Sequence, residues 1–278
     1  MADTETPTPG VGPGPGEGGE PAPRDGRPLM EATSVSIRFG GIAALKDVSV
    51  SVMAGEAVGL VGPNGAGKTT LFNCLCGQLR PDTGTVEFDG RRIEELPAHL
   101  RARLGIRRTF QRVEVFTELN VRDHLIVAER ARRGDGALWK DLLNLGSPKR
   151  DELEDVARVL DLVGLTDIAD VPVAALSLGH CRLVELARAL AGRPRLLMAD
   201  EPSSGLDIRE TMELAGVLRA VQREHGMAVM LVEHDLEMVA RAVDRVVVLD
   251  VGEVIAEGPL DAVVADPDVR RAYLGRTA

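Results

Sequence analysis

One stretch constrains this chain more than any other: Gly62-Pro63-Asn64-Gly65-Ala66-Gly67-Lys68-Thr69-Thr70. It fits G-x-x-x-x-G-K-[ST], a loop that cradles phosphate. The apolar run Glu56–Val61 before it reads as a buried strand, and Leu71–Leu79 after it reads as a helix. Glycines let the backbone curl so that its N–H groups face an anion, and the helix N-terminus adds the positive end of its dipole. In such a loop Lys68 reaches the β- and γ-phosphates and the Thr69 hydroxyl sits on Mg²⁺.

The chain has 278 residues, enough for one large domain or two modest ones. Aromatic residues make up only 3%, so a core must come from Leu, Val, Ile and Ala. The net charge of −10 lowers the expectation of a free-standing nucleic-acid binder. No apolar run reaches the ~18 residues of a membrane span, so any membrane connection is expected through a partner. Cys74, Cys76 and Cys181 are too few for a disulfide framework and fit a reducing cytoplasm.

Residues 1–28 hold seven Gly and seven Pro and read as a disordered tail without the apolar segment of a signal peptide. Val35, Ile37 and Phe39 alternate, as do Val48, Val50 and Val52, and both sets read as half-buried strands. Phe39 stands beside Gly40-Gly41, where its ring is either open to a ligand or part of the core. Arg80–Gly84 reads as a turn, Thr85–Phe88 as a strand, Pro97–Leu104 as a helix and Ile106–Phe110 as a short strand followed by Gln111. An antiparallel layer thus precedes a parallel sheet. From Val113 to about Ala174 the pattern turns helical, with Asn120 capping Val121–Arg133 and an amphipathic helix over Asp151–Val163. Residues 134–147 read as a loop. Leu176-Ser177-Leu178-Gly179-His180 opens a helix through Ala191, with Ser177 as N-cap and a possible second anion seat. Leu196–Asp200, Met227–Val232, Arg245–Asp250 and Glu253–Ala256 read as strands, and Pro259–Gly275 as short helices.

The phosphate loop, Asp200-Glu201 and His234 each follow an apolar strand that alternates with helices. That alternation implies a parallel sheet, where ligands bind at the carboxyl ends of the strands. Mg²⁺ takes hard oxygen ligands, and the Thr69 hydroxyl, Asp200 (through water) and the Gln111 amide suit it. Hydrolysis of ATP needs an aligned water and a base, and Glu201 stands one residue beyond the metal-side acid, where it can face that water. His234 is placed to hydrogen-bond the γ-phosphate.

These residues resemble the ATP-binding-cassette ATPases from Leu29 to about Gly258. Five motifs stand in that family's order: Walker A (Gly62–Thr70), Q-loop (Gln111), signature (Leu176–His180), Walker B with its glutamate and D-loop (Leu196–Glu201, Ser203–Asp207) and switch histidine (His234). The resemblance implies an α/β fold: a P-loop NTPase cassette with a RecA-like parallel-sheet core, an antiparallel β layer and a helical subdomain insert. It divides the chain into a tail over 1–28, an ATPase domain over 29–260 with its insert at about 113–190, and a helical extension over 261–278. It puts Phe39 against adenine and makes the cassette a head-to-tail dimer, homo- or heteromeric. In that dimer Ser177, Gly179 and Asp207 would serve ATP bound between the subunits. It also implies membrane permease subunits, a substrate-binding protein reached through them, and a peripheral place on the cytoplasmic face of the plasma membrane, with no nucleic-acid partner.

Within the family, the look is closer to the ATPases of branched-chain amino acid importers. Phe39-Gly40-Gly41, Gly105–Gln111, Ala256-Glu257-Gly258-Pro259 and Ala272-Tyr273-Leu274-Gly275 carry that likeness. The alternatives are a urea or amide importer, a lipid or lipopolysaccharide exporter, a cassette acting on nucleic acid or ribosomes, and a nucleotide-gated module that no longer hydrolyses. The chain departs from the family pattern at His180, where an amide-bearing residue is usual. Ser177 and Gly179 remain, so phosphate contact is expected to survive. The substitution is either neutral or changes coupling or pH response.

Overall fold

The structure, a computed structural model, describes residues 26–109, 119–133 and 148–274. The chain begins with the hairpin β1 (Met30–Phe39) and β2 (Ile42–Val52), then β3 (Ala57–Val61) and α1 (Lys68–Cys76). There follow β4 (Thr83–Phe88), β5 (Arg91–Arg92), α2 (Ala98–Arg103) and β6 (Ile106–Arg108). The helical part contains α3 (Val121–Arg133), α4 (Arg150–Leu162) and α5 (Leu178–Ala191). Strand and helix then alternate: β7 (Leu196–Asp200), α6 (Ile208–His225), β8 (Ala228–Val232), α7 (Leu236–Ala242), β9 (Arg245–Asp250) and β10 (Glu253–Gly258), with α8 (Leu260–Ala265) and α9 (Pro267–Leu274) last.

Two sheets result. One is antiparallel, in the order β2-β1-β4-β5, and the other runs β10-β9-β3-β8-β7-β6. In the second, β9, β3, β8, β7 and β6 are mutually parallel and only β10 is antiparallel. A strand that is apolar at every position needs cover on both faces. The alternation of side chains supplies it. Val58, Leu60, Leu196, Met198, Ala228, Met230 and Val232 face one core, shared with the antiparallel sheet and α1. Ala57, Leu197, Ala199, Val229 and Leu231 face a second core under the helical part, α6 and α7. At about 1.5–3 kcal/mol per buried Leu, Val or Met side chain, these two cores dominate the folding energy. A third, smaller core joins Val246 and Val248 of β9 to Val263 and Val269 of α8 and α9.

Several boundaries differ from the sequence expectation. The helix placed at Leu71–Leu79 runs Lys68–Cys76, because Gly67 (φ 105°) turns the phosphate loop directly into helix and Gly77 (φ 79°) ends it. Arg101, fully buried from α2, donates to the Cys74 and Leu75 carbonyls at 2.7 and 2.8 Å and so neutralises that helix end. The strand placed at Thr85–Phe88 starts at Thr83, since Gly84 accepts φ 90° within it. The strand placed at Ile106–Phe110 is assigned only through Arg108, and Phe110 lies outside the described residues.

In the helical part, Asn120 caps α3 by accepting the Asp123 N–H at 2.8 Å, as its sequence position predicts. Ion pairs then lock α3 to α4. Arg130 and Arg133 of α3 reach Glu152 and Asp155 of α4, Arg193, beyond α5, meets the same Asp155 at 2.8 Å, and within α3 Glu129 receives Arg132 and Arg133.

Candidate functional site

The parallel strands point their carboxyl ends to one edge, and the sequence-predicted groups gather there. The phosphate loop follows β3, Asp200-Glu201 ends β7, and Glu233-His234 follows β8, the neighbour of both. The Glu201 N–H donates to Val232 O at 2.9 Å, which ties the last two together.

The loop's shape comes from its glycines. Gly62 has φ 145°, and a Cβ there would lie 2.1 Å from Leu249 O of β9. Gly67 (φ 105°) leaves 2.7 Å between such a Cβ and Ala44 O of β2, whereas Gly65 (φ 81°) faces open space. Two glycines therefore pack the loop against the sheets, and the third leaves its outer side clear for an anion. Pro63 accepts the Ala66 N–H at 3.1 Å, and buried Ala66 accepts the Gly252 N–H at 2.9 Å. Asn64 and Thr69 are exposed and Thr70 is half-buried. The Lys68 ammonium folds back to donate to Gly62 O at 2.7 Å and Pro63 O at 3.0 Å. Burial lowers its pKa, and the charge of Glu201 partly restores it. An ammonium on a glycine-turned loop at a helix N-terminus, with a carboxylate in electrostatic reach, suits a polyanion.

The acids sit in a balance of charge. Asp200 is buried, and burial pushes its carboxyl up, while Arg108 pulls it down and Glu201 raises it again. Arg108 pairs with Asp200 Oδ2 at 2.8 Å, donates to Asn73 Oδ1 at 2.9 Å and lies 4.8 Å over the Phe72 ring. Glu201 has φ 45°, an uncommon backbone for a residue with a Cβ. Glu233 is fully buried and accepts the Ser203 and His234 N–H groups at 2.9 and 3.1 Å. His234 itself is exposed, with Nδ1 3.6 Å from Glu233 Oε2.

Ser177, Gly179 and Asp207 gather in a second place, where the N-termini of α5 and α6 meet. Ser177 caps α5 by accepting the His180 N–H. Asp207 caps α6 by accepting the Glu210 N–H at 2.8 Å, and Glu210 returns the contact by accepting the Asp207 N–H. A Cβ on Gly179 would lie 2.7 Å from Glu210 Oε1, so only glycine fits there without moving that side chain. Phe39, at the end of β1, is 49% exposed, which removes the alternative of a core ring. Gln111 lies outside the described residues.

Sequence reading missed three groups. Arg108 and Glu233 are charged residues next to buried strands, and a buried partner is what such a placement requires; that was the available signal. Tyr273 of α9 was noted only as part of a terminal likeness. Burial pushes its hydroxyl up, and a hydrogen bond with the Gly62 backbone opposes that shift, so the last helix touches the first residue of the phosphate loop.

The oxygen set fits Mg²⁺. Among the described residues no three His, Cys, Asp or Glu side chains form a metal nest of their own. Thr69 and Asp200 instead offer the one hydroxyl and one carboxylate expected of an ion that takes its remaining ligands from water and phosphate.

Comparison with known proteins agrees with this geometry. The ABC transporter family model matches residues 45–204, and a model described as branched-chain amino acid ATP-binding cassette transporter matches residues 253–278. The chain is 38% identical over 252 residues to the high-affinity branched-chain amino acid transport ATP-binding protein BraF of Pseudomonas aeruginosa, covering 90% of this chain and 98% of that one. The ADP conformation of MJ1267, an ATP-binding cassette of an ABC transporter, superposes with a TM-score of 0.79 at 30% identity, covering 90% of this chain and 99% of that one. A dimeric post-hydrolysis state of the cassette MJ0796 bound to ADP and Pi gives a TM-score of 0.68 at 25% identity, covering 84% of this chain and 99% of that one. The chain belongs to the ABC transporter family, as one of its ATP-binding cassettes, and is an ATPase. Among the described residues no helix is long and apolar enough to cross a membrane.

Proposed function

We propose that this cassette hydrolyses MgATP between two copies, or between itself and a related cassette, to drive import of branched-chain amino acids through membrane permease subunits. The observation that carries the hydrolytic part is the convergence of Lys68, Asp200 and Glu201 on one sheet edge, with Glu201 close enough to shift Lys68. The match over 253–278 and the likeness to BraF support the substrate class.

In this reading the N–H groups of Gly62–Thr70 and Lys68 hold the phosphates, and Phe39 stacks on adenine. Thr69, Asp200 and Gln111 hold Mg²⁺, which when bound neutralises charge on the phosphates. Glu201 accepts the proton of the attacking water, and His234 hydrogen-bonds the γ-phosphate, oriented by the buried Glu233. Ser177 and Gly179 close on the nucleotide of the partner copy, with Asp207 at the same seam. The dimeric likeness supports that arrangement. The ATPase domain spans 29–260, with the insert at about 113–190 and the helical extension at 261–278. The chain acts at the cytoplasmic face of the plasma membrane, peripherally, and a substrate-binding protein delivers cargo to the permease.

The test is uptake of radiolabelled leucine in cells whose own copy is replaced by wild type or by Glu201→Gln. Loss of uptake in the variant is the expected result. Unchanged uptake removes leucine import as a non-redundant role.

A further inference from the structure

We infer that His180 is a positioning residue: it sets whether the Ser177 hydroxyl has its proton free for a phosphate of nucleotide held by the partner cassette. This rests on the cassette-dimer reading above. Ser177 Oγ lies 3.1 Å from His180 Nδ1 and also accepts the His180 N–H at 3.3 Å. Both side chains are exposed at the first turn of the 14-residue α5.

A hydroxyl has one proton and two lone pairs, and an imidazole nitrogen either donates or accepts. When Nδ1 carries no proton it accepts, so the Ser177 proton is spent on His180. When Nδ1 carries a proton it donates to Oγ. The backbone N–H of His180 fills the other lone pair, and the Ser177 proton has to point away from the helix, where it can reach a phosphate oxygen. The doubly protonated ring always carries a proton on Nδ1, so acidification selects the phosphate-donating state. An amide at this position presents donor and acceptor alike at every pH and cannot make that selection.

The charged groups around this turn come from two helices. Glu210 and Asp207 of α6 face it, each already accepting a backbone N–H of the other. On α5 itself Arg182 and Glu185 pair with each other at 3.0 Å. Cys181, next in sequence, has its thiol pushed up by burial and turned toward the Val173 carbonyl.

The experiment uses the full chain as Glu201→Gln, which slows turnover, with MgATP, and measures the dimer dissociation constant by sedimentation at about pH 8 and about pH 6. Two further variants carry His180→Gln or Ser177→Ala in that background, with the melting temperature of each recorded. The expected result is a dimer about tenfold tighter at the lower pH in the parent, since a hydrogen bond to a charged group is worth about a factor of ten or more. Both further variants should lose that pH dependence. An equal slope in His180→Gln overturns the inference. A slope kept in Ser177→Ala also overturns it, because the ring then acts by charge alone. Absence of an ATP-dependent dimer at either pH overturns the dimer reading, and the inference falls with it.

Discussion

The phosphate loop is held by backbone, and the helical part that carries Ser177 adds charged side-chain pairs to its apolar core. At the loop, Gly62 and Gly67 fit against carbonyl oxygens of β9 and β2, and Lys68 is tied to carbonyls of the loop itself. In the helical part, Asp155 of α4 collects Arg133 of α3 and Arg193 just ahead of β7, and Glu129 holds Arg132 and Arg133 along α3. A backbone-built site is insensitive to pH and intolerant of side chains. A side-chain-built one can be retuned by single substitutions, as inferred above for His180. In the function proposed above, one region presents a fixed anion seat and the other docks on a partner and leaves it.

The largest break of this contrast is Gly62→Ala. Its Cβ would stand 2.1 Å from Leu249 O, so the loop must move by about 1 Å, and a displacement of that size costs about 10²-fold in turnover. The expected loss is the same at every pH, measured as ATPase rate against wild type; a rate within a few-fold would show the loop to be more plastic than its packing indicates.

A smaller effect with the opposite pH behaviour is expected from Glu129→Gln. Burial pushes the Glu129 carboxyl up, but Arg132 and Arg133 outweigh that and hold it at about 2, below its ordinary 4.5. Its contribution to stability is therefore complete above about pH 4.5 and is lost as the pH falls toward about 2. Breaking such a buried pair costs about 3 kcal/mol. Chemical denaturation should show the variant less stable than wild type at neutral pH, with the gap closing between those two values. A constant gap would mean that the carboxylate charge is not what stabilises the C-terminal turn of α3.

Much of this was legible in the sequence because it is local. The glycine spacing of the loop, the all-apolar strands and the capping residues Asn120 and Ser177 each act within a few residues of themselves. The phosphate helix began three residues earlier than its apolar pattern indicated, because Gly67 rather than the first apolar residue sets its start. What stayed hidden depends on distance along the chain. Arg108 and Asp200 are separated by 92 positions, and the contact of Tyr273 with Gly62 brings the last helix back to the first motif. Periodicity carries no information about such pairs, nor about the side-chain hydrogen bond between Ser177 and His180 that distinguishes this signature turn.

The central claim is that Glu201 activates water at a loop that binds ATP independently of it. The direct measurement is ATP binding and steady-state hydrolysis by wild type and Glu201→Gln, each assembled with its membrane subunits. The account predicts that turnover falls by about 10²–10⁴ while ATP affinity is kept. Hydrolysis by the variant within a few-fold of wild type would contradict it and assign the base to another residue.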